Sequence, residues 1–286
     1  MGLLRTSTHQ FLFPPPRHIP EAVGASTTNA WAADTAIASM LSPSHLNCWL
    51  DCHAKWYYKH VLNLPDVQGA NLTLGRAVHS ALGENFAQKI ETKQDLDSLG
   101  VEALFIDAFE SELLNATLTA EDSVDDLIDT GRAAISTYMA EVAPTIDPAA
   151  VELHVMGTIA GAAVQGYIDL MDVHGRIIDI KTAKKKPSGI RPDYRLQVAT
   201  YKATRAAANG IVKLDTLVKS KTVQLVEQTF AITEADVKAT ATLYPLAQEG
   251  MRSGLYMPNR NSMLCSRKYC PYADRCEADF GGAVHA

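Results

Sequence analysis

The residues with the clearest capacity for chemistry are two aspartates and a lysine in neighbouring segments. Asp169 ends the stretch 166–169, and Asp179 and Lys181 lie two positions apart in the next β-branched run. Side chains two apart on a strand share a face, and a hairpin near residues 174–175 would bring the aspartates together. Carboxylates bind Mg²⁺ or Mn²⁺, such a metal activates water, and a lysine stabilises developing charge, as phosphodiester hydrolysis requires.

An isolated Asp-x-Lys triplet is also compatible with a surface ion pair at strand ends, so the surrounding motifs decide. Four motifs occur in order along the sequence, and together they resemble the RecB-like branch of the PD-(D/E)XK nuclease superfamily. They are Gly75-Arg76-Ala77-Val78-His79, Gly166-Tyr167-Ile168-Asp169, Asp179-Ile180-Lys181-Thr182 and Gln197-Val198-Ala199-Thr200-Tyr201.

This resemblance implies a role for each matched residue. It implies a divalent metal, Mg²⁺ or Mn²⁺, bound by His79, Asp169, Asp179 and the carbonyl of Ile180. It implies that Lys181 is the catalytic lysine. It also implies that Gln197 and Tyr201, four apart on one helix face, hold the lysine and the DNA.

Two further residues lie on the preceding strand, near enough in sequence to belong to the same site. Glu152 is an additional acidic candidate, because the family often has an acidic residue there. His154, on the same strand face, is interpreted as structural. The flanking apolar register favours Asp169 over Asp172 as the ligand.

The five cysteines are divided between the two ends of the sequence. Cys265, Cys270 and Cys276 cluster in the final stretch, whereas Cys48 and Cys52 lie more than 200 residues earlier. Three clustered thiols are one short of a four-cysteine site, so the fourth ligand would be Cys52 or Cys48. Zinc on the same ligands and reduced thiols without metal are the alternatives to iron.

Residues 42–58 resemble the first helix of RecB-like iron–sulfur nucleases, such as AddB-type and CRISPR-associated RecB-like nuclease domains. The match places Cys52 at the ligand position and leaves Cys48 spare, and His53 replaces the usual proline. The resemblance implies a structural [4Fe–4S] cluster held by Cys52, Cys265, Cys270 and Cys276. Such a cluster would tie the C-terminal segment to the first helix.

Hydrophobic periodicity predicts an α/β protein in which helices precede and flank a sheet. The resemblance implies a restriction-endonuclease-like mixed sheet with a helical subdomain. We predict helices over 42–61, from about 74, and over 99–116, 122–143, 194–208 and 233–251. We predict strands over 151–158, 164–173, 177–180, 212–218 and 222–230, and an irregular segment over 256–282 that holds the last three cysteines.

We divide the sequence into four regions. Residues 1–38 form an extension, mobile or loosely docked. Residues 39–148 form a helical region that carries the first cluster cysteine and the histidine ligand. Residues 149–232 form the nuclease core, and residues 233–286 form the C-terminal helix and the cysteine cluster.

Composition restricts how the chain could contact its substrate. The formal net charge of −6 excludes a strongly basic coat, so DNA contact would come from a local basic patch or a bound metal. Residues 184–186, Arg191 and Arg195 form such a patch beside the proposed site, although a run of this kind is also typical of a solvated loop. Nothing resembles a base-reading module, so we expect sequence-tolerant binding.

No apolar run approaches the roughly 20 residues of a membrane span, and the N-terminus lacks signal-peptide features. We therefore expect an intracellular, cytoplasmic protein without membrane contact. The expected activity is that of a DNA exonuclease on single-stranded or frayed ends. Recombination, repair, phage DNA processing and CRISPR adaptation are candidate settings. A non-catalytic DNA-binding or assembly protein and an RNA-directed nuclease are the alternatives.

Overall fold

The computed structural model describes residues 40–66, 68–204, 209–219 and 222–285. The predicted extension over residues 1–38 lies outside this part of the chain. The described residues form a six-stranded mixed sheet flanked by helices, which confirms the predicted α/β class.

The strands follow the alternation of apolar and polar residues, and the helices follow the 3.6-residue period. The strands are β1 (Met40–Leu41), β2 (Pro148–Ile159), β3 (Ala162–Asp172), β4 (Ile177–Ala183), β5 (Ile211–Val218) and β6 (Gln224–Ala231). The helices are α1 (Pro43–Asp51), α2 (His53–Trp56), α3 (Ala70–Thr92), α4 (Ser98–Leu113), α5 (Val124–Glu141), α6 (Pro192–Ala203), α7 (Glu234–Arg252) and α8 (Ala273–Phe280). A π-helical turn (Tyr57–Val61) follows α2, and a 3₁₀ turn (Ala143–Thr145) follows α5.

The central feature of the sheet is a fork between β3 and β4. One edge of β3 pairs with β2 along nearly its whole length. On the opposite edge, residues 163–164 pair with β1 and residues 170–171 pair with β4. Residues 165–169 of that edge have no strand partner in the described chain, while β4 continues alongside β5. The fork therefore opens at Asp169 and Asp179.

Two tight turns set the register of these strands. Ala160 and Gly161 both have positive φ, 47° and 87°, as a two-residue hairpin between twisted strands requires. In the turn from β3 to β4, Asp172 Oδ1 accepts the backbone N–H groups of His174 at 3.0 Å and Arg176 at 2.8 Å. Asp172 is thus a turn residue, and Asp169 remains free to face the fork.

Helices cover both faces of the sheet. On one face, α3 and α5 pack on the strands over Ile178, Ile180 and Leu217, and α4 packs against both helices. On the other face, α6 packs against Ile168 and Val212, while α1 and α7 enclose the end of the sheet near β1. The strands at the fork are therefore buried between two helical layers.

The predicted continuous helix over residues 42–61 is divided in the structure. Helix α1 ends at Asp51, and the next residue, Cys52, has an extended backbone with φ −159° and ψ 113°. The Asn259 side chain donates a hydrogen bond to the Asp51 carbonyl at 2.8 Å, which satisfies an orphan carbonyl at the helix end. The helix thus breaks where it contacts the C-terminal segment. Hydrophobic periodicity could not predict this break, because the contact joins distant parts of the chain.

The C-terminal segment, predicted to be irregular, contains the short helix α8. Cys276 on α8 packs with Tyr58 and Tyr272, and the Tyr58 hydroxyl donates a hydrogen bond to Asp279 Oδ2 at 2.9 Å. This segment therefore docks on the first helical region.

Other element boundaries differ by a few residues from those predicted. Helix α3 begins at Ala70 rather than near Leu74, and β4 extends to Ala183. Thr233 caps α7 in a reciprocal capping box with Asp236. Among the described residues, no helix is long and apolar enough to cross a membrane.

Candidate active site

Four of the predicted site residues meet at the fork. Asp169 comes from β3, Asp179 and Lys181 come from β4, and His79 comes from α3, which contacts both strands. His79 Nε2 lies 3.0 Å from Asp169 Oδ2. Lys181 Nζ lies 2.8 Å from Asp179 Oδ1 and 3.9 Å from Asp169 Oδ2. One imidazole, two carboxylates and one ammonium group thus form a single contact cluster.

The approach of α3 to β4 depends on a glycine. A Cβ atom on Gly75 would lie 3.0 Å from Thr182 Oγ1, closer than most real Cβ contacts. Gly75 and His79 are four residues apart, so they lie on the same face of α3. The glycine therefore lets the helix come near enough for His79 to reach the fork.

Asp179 is buried, Asp169 is half-buried, and both are incompletely hydrogen-bonded. Neither Asp169 Oδ2 nor Asp179 Oδ2 accepts a hydrogen bond of acceptable geometry from the described residues. Burial raises the pKa of Asp179 to about 7, against the opposing effect of Lys181. Burial also acts to raise the pKa of Asp169, but neighbouring His79 and Lys181 hold it below its ordinary value. The site therefore raises the pKa of Asp179 and lowers the pKa of the adjacent Asp169.

The neighbouring carboxylates raise the pKa of both basic groups of the cluster. Burial acts to lower the pKa of Lys181, but Asp179 and Asp169 raise it above its ordinary value. Burial acts to lower the pKa of His79, but the Asp169 carboxylate raises it above its ordinary value. The Lys181 ammonium group compensates part of the negative charge of the two aspartates.

Glu152 joins the cluster from β2. Its Oε1 lies 3.9 Å from His79 Nδ1, and ligand atoms of Glu152, His79 and Asp169 lie within 4.8 Å of one another. Glu152 has a φ of 47°, a backbone conformation that non-glycine residues rarely adopt and that clusters at functional sites. From the sequence, Glu152 is only an additional candidate ligand, because its position across from Asp169 depends on the register of β2 and β3.

The donor set fits a hard divalent cation. Carboxylate oxygens and an imidazole are ligands for Mg²⁺ or Mn²⁺, and no thiol lies among the residues of this group. The two buried carboxylate oxygens without hydrogen bonds are the donors that a cation would satisfy. Ile180, whose carbonyl is the further predicted ligand, lines the same groove.

Gln197 and Tyr201 lie behind the fork on α6 rather than in the cluster. Gln197 Nε2 donates to the Tyr201 hydroxyl at 3.2 Å, and that hydroxyl donates to the Tyr167 carbonyl at 2.5 Å. A Cβ on Gly166 would lie 2.7 Å from Tyr201 Cε1, so this glycine makes room for the ring. The pair therefore anchors the unpaired edge of β3 immediately before Asp169.

A groove of about 800 Å³ leads to the cluster between α3, β2 and β4. Arg76, His79, Glu152 and Lys181 are among its lining residues. The groove gives solvent and a substrate access to the otherwise buried site.

The predicted basic patch divides into free and paired cations. Residues 184–186 are exposed and form no ion pair within the described chain. Arg191 pairs with Asp193 at 2.7 Å, and Arg195 pairs with Asp236 at 3.1 Å. The three lysines are therefore the members of the patch that remain available to a polyanion.

Four of the five cysteines line one small cavity between α1, α2 and the C-terminal segment. They are Cys52, Cys265, Cys270 and Cys276. No disulfide joins any of the five cysteines, and Cys48 is not among the residues that line this cavity. Burial raises the pKa of Cys276 to about 11, and the Asn259 backbone N–H donates to Cys52 Sγ at 3.4 Å.

Comparisons with known proteins identify the family of this chain. A sequence profile of the PD-(D/E)XK nuclease superfamily matches residues 40–277. The chain belongs to the PD-(D/E)XK nuclease superfamily. Its matched region spans the sheet, the fork and the cysteine cavity. Membership confirms the superfamily predicted from the motifs and implies a nucleic-acid substrate and a divalent metal.

Solved structures support the superfamily fold. A crystal structure from Eubacterium rectale, described as that of a presumed exonuclease, matches with a TM-score of 0.55 and 11% identity. The match covers 87% of this chain and 93% of that chain. The structure of SSO0001 matches with a TM-score of 0.39 and 13% identity over 88% of this chain and 95% of that one, a similarity too low to carry an argument. No curated protein matches the sequence significantly.

Proposed function

We propose that this superfamily member is a metal-dependent deoxyribonuclease of the RecB-like branch that degrades DNA from single-stranded or frayed ends. The observation that carries the proposal is the contact cluster of His79, Asp169, Asp179 and Lys181 at the fork. The structural similarity to a presumed exonuclease supports action at strand ends.

The ligands of the metal would be His79, Asp169, Asp179 and the Ile180 carbonyl, with Glu152 as an additional carboxylate. When bound, Mg²⁺ or Mn²⁺ lowers the pKa of water and neutralises phosphate charge. Lys181 acts beside it, and its ammonium group stabilises negative charge that develops on the phosphate. In this proposal Lys181 is the catalytic residue of the chain.

Gln197 and Tyr201 are positioning residues. Their hydrogen bonds hold the Tyr167 carbonyl, two residues before Asp169 on the same strand. This contact replaces the missing strand partner of β3 at the fork. We infer that it keeps the Asp169 carboxylate at a fixed distance from Asp179.

DNA would reach the fork along the groove and contact the exposed lysines of residues 184–186. These lysines directly follow the catalytic strand, so they are placed to neutralise phosphates on either side of the cut. Contacts of this kind carry no sequence information. The proposed binding is therefore sequence-tolerant and weakens as salt concentration rises.

We further propose that Cys52, Cys265, Cys270 and Cys276 hold a structural [4Fe–4S] cluster. Their position around one cavity, with Cys48 outside it, supports this set. The cluster needs reduced thiols, and we therefore place the protein in the cytoplasm. Metal analysis of anaerobically purified protein tests the proposal, because stoichiometric zinc in a colourless sample contradicts it.

One cleavage assay tests the nuclease proposal. The substrates are single- and double-stranded DNA labelled at the 5′ or the 3′ end and a single-stranded RNA of the same sequence. Each is incubated with Mg²⁺, Mn²⁺ or EDTA. We expect metal-dependent loss of single nucleotides or short products from DNA ends, fastest on single strands, and none in EDTA.

The other outcomes of this assay are equally informative. Preferential cleavage of RNA would identify an RNA-directed nuclease. Internal cuts without end dependence would identify an endonuclease. DNA binding without cleavage under any metal condition would favour the non-catalytic alternative and contradict the proposal.

A further inference from the structure

An exposed pair of stacked rings lies on the hairpin of β2 and β3. The rings of His154 and Tyr167 have centroids 4.6 Å apart and planes inclined by 16°. Tyr167 is 52% exposed. Among the strands of the described chain, it is the one exposed aromatic residue, so it differs from the buried aromatic residues that form the core.

Strand register places this pair beside the metal-ligand cluster. His154 is the cross-strand partner of Tyr167. The adjacent pairing of Leu153 with Ile168 continues the same register, and it puts Glu152 across from Asp169. The two pairs are therefore separated by two residues along each strand, about 7 Å.

The stacked pair is fixed before any ligand binds. The Tyr167 carbonyl accepts a hydrogen bond from the buried Tyr201 hydroxyl at 2.5 Å. The imidazole of His154 contacts Gln165 Oε1 through Nε2 at 3.4 Å. The first contact restrains the strand and the second restrains the imidazole that stacks on Tyr167, and a preorganised surface binds with a smaller entropic cost.

One face of the tyrosine ring remains open. His154 occupies one face of Tyr167, and no other ring or cation contacts Tyr167 in the described part of the chain. Cross-strand aromatic pairs stabilise sheets, but that role does not require an exposed ring next to a hydrolytic site. An open aromatic face beside a phosphate-cleaving centre can stack on a nucleobase.

We propose that Tyr167, backed by His154, is a stacking platform for the unpaired base adjacent to the scissile phosphate. The platform rests on the proposed nuclease function and specifies its substrate, because a base in a duplex has no free face to offer at a side groove. The enzyme therefore acts where at least one nucleotide next to the cut is unpaired. His154, assigned a structural role from sequence alone, supports the ring that touches the substrate.

The test measures affinity with and without the base. Fluorescence anisotropy with Ca²⁺ in place of Mg²⁺ compares an intact single-stranded oligonucleotide with a series in which one abasic residue is moved along the strand. We expect one position at which loss of the base weakens wild-type binding about tenfold, as stacking on one aromatic ring predicts. Tyr167→Ala should weaken binding of the intact strand about tenfold and remove the response to that abasic residue.

Two control variants define the chemistry of the platform. Tyr167→Trp keeps a stacking ring and should retain the wild-type response to the abasic residue. Met156→Ala truncates another exposed side chain on the same face of β2 and should bind as the wild type does. The proposal is overturned if every abasic strand binds as tightly as the intact one, or if Tyr167→Ala keeps the wild-type discrimination.

A parallel cleavage measurement in Mg²⁺ separates this inference from the nuclease proposal. We expect Tyr167→Ala to raise KM more than it lowers kcat on the intact strand. If the wild type cleaves no strand, the nuclease proposal fails, while the affinities still decide whether the platform exists. If the wild type cleaves intact and abasic strands equally and binds them equally, the platform alone fails.

Discussion

Asp179 and Asp169 would be unfavourable residues for a purely structural strand pair. Asp179 Oδ2 is buried without a hydrogen-bond partner in the described structure, and the buried Asp169 Oδ2 faces the imidazole of His79 at 3.0 Å. Buried polar groups of this kind cost stability unless a ligand satisfies them. Lys181 and His79 compensate part of the charge. The arrangement is best understood as a site in which stability is exchanged for the capacity to bind a cation.

The first prediction concerns the lysine of this cluster. Lys181→Ala should lower the cleavage rate by about 10²- to 10⁴-fold, because the group that stabilises charge on the phosphate is lost. Single-turnover cleavage of end-labelled DNA measures the effect. Lys238→Ala, which removes an exposed lysine from α7, is the matched control and should keep wild-type activity. A Lys181→Ala protein that cleaves at the wild-type rate contradicts the assignment.

The second prediction concerns the metal ligands themselves. Asp169→Asn should remove cleavage and weaken Mn²⁺ binding, because a neutral amide replaces a carboxylate that faces the cation. Isothermal titration with Mn²⁺ measures the binding directly, independently of activity. Asp107→Asn, at an exposed position on α4, is the control and should leave Mn²⁺ affinity unchanged. Equal loss of affinity in both variants would argue against a site at the fork.

At the scale of elements, helix α6 stabilises the fork through one hydroxyl. Tyr201→Phe removes the hydrogen bond to the Tyr167 carbonyl, and we expect a loss of about 1–2 kcal/mol in the free energy of unfolding. Because that bond anchors the strand of Asp169, the cleavage rate should fall as well. Urea unfolding and single-turnover cleavage measure the two effects.

Tyr244→Phe is the control for this third prediction. The Tyr244 hydroxyl of α7 is buried and lies 2.9 Å from Thr200 Oγ1 of α6, so it bonds a side chain of that helix and not the β3 backbone. Its removal should cost a similar free energy of unfolding and leave the cleavage rate unchanged. If both variants lose activity equally, Tyr201 acts through general stability and is not a positioning residue.

The packing of α5 against α4 gives a fourth prediction. A Cβ on Gly131 would overlap the buried ring of Phe105, so Gly131→Ala should destabilise the protein by about 1–3 kcal/mol. A Cβ on Gly83, in the interior of α3, would meet Val151 at an ordinary 3.8 Å. Gly83→Ala should therefore stabilise by about 0.5–1 kcal/mol through helix propensity alone. Thermal unfolding of both variants tests the contrast in sign.

At the scale of the whole molecule, the C-terminal segment is joined to the first helical region across most of the chain. The contacts include the Asn259 side chain with the Asp51 carbonyl and the Tyr58 hydroxyl with Asp279. A ligand that bridges Cys52 to the C-terminal cysteines would close a loop of more than 200 residues. Closure of a long loop lowers the entropy of the unfolded chain and so stabilises the fold.

The fifth prediction follows from this closure. Cys52→Ser should remove the visible absorbance of an iron–sulfur cluster and lower the Tm, because one ligand and the link between the chain ends are lost. Cys48→Ser, outside the cavity, should keep both the colour and the Tm. Iron content and differential scanning calorimetry of anaerobic samples provide the measurements. Equal effects of the two variants would contradict the proposed ligand set.

The local determinants of the fold and of the site could be predicted from the sequence. Alternation of apolar residues predicted β2 and β3, because strand periodicity reports which side chains are buried, and a short β-branched run predicted β4. Asp179 and Lys181 could be placed on one face, since they belong to a single strand. The order of the four motifs identified the superfamily. Each strand and each motif is a local signal, and the motif order adds only their sequence along the chain.

Other features depend on contacts between distant segments, and only the tertiary structure decided them. The break at Cys52 lies where α1 meets the C-terminal segment, and the two-residue strand β1 is too short for any periodic signal. The fork exists because β3 exchanges one strand partner for another along the same edge. The positions of Glu152 and of the His154–Tyr167 pair follow from cross-strand register, which a single sequence does not encode locally.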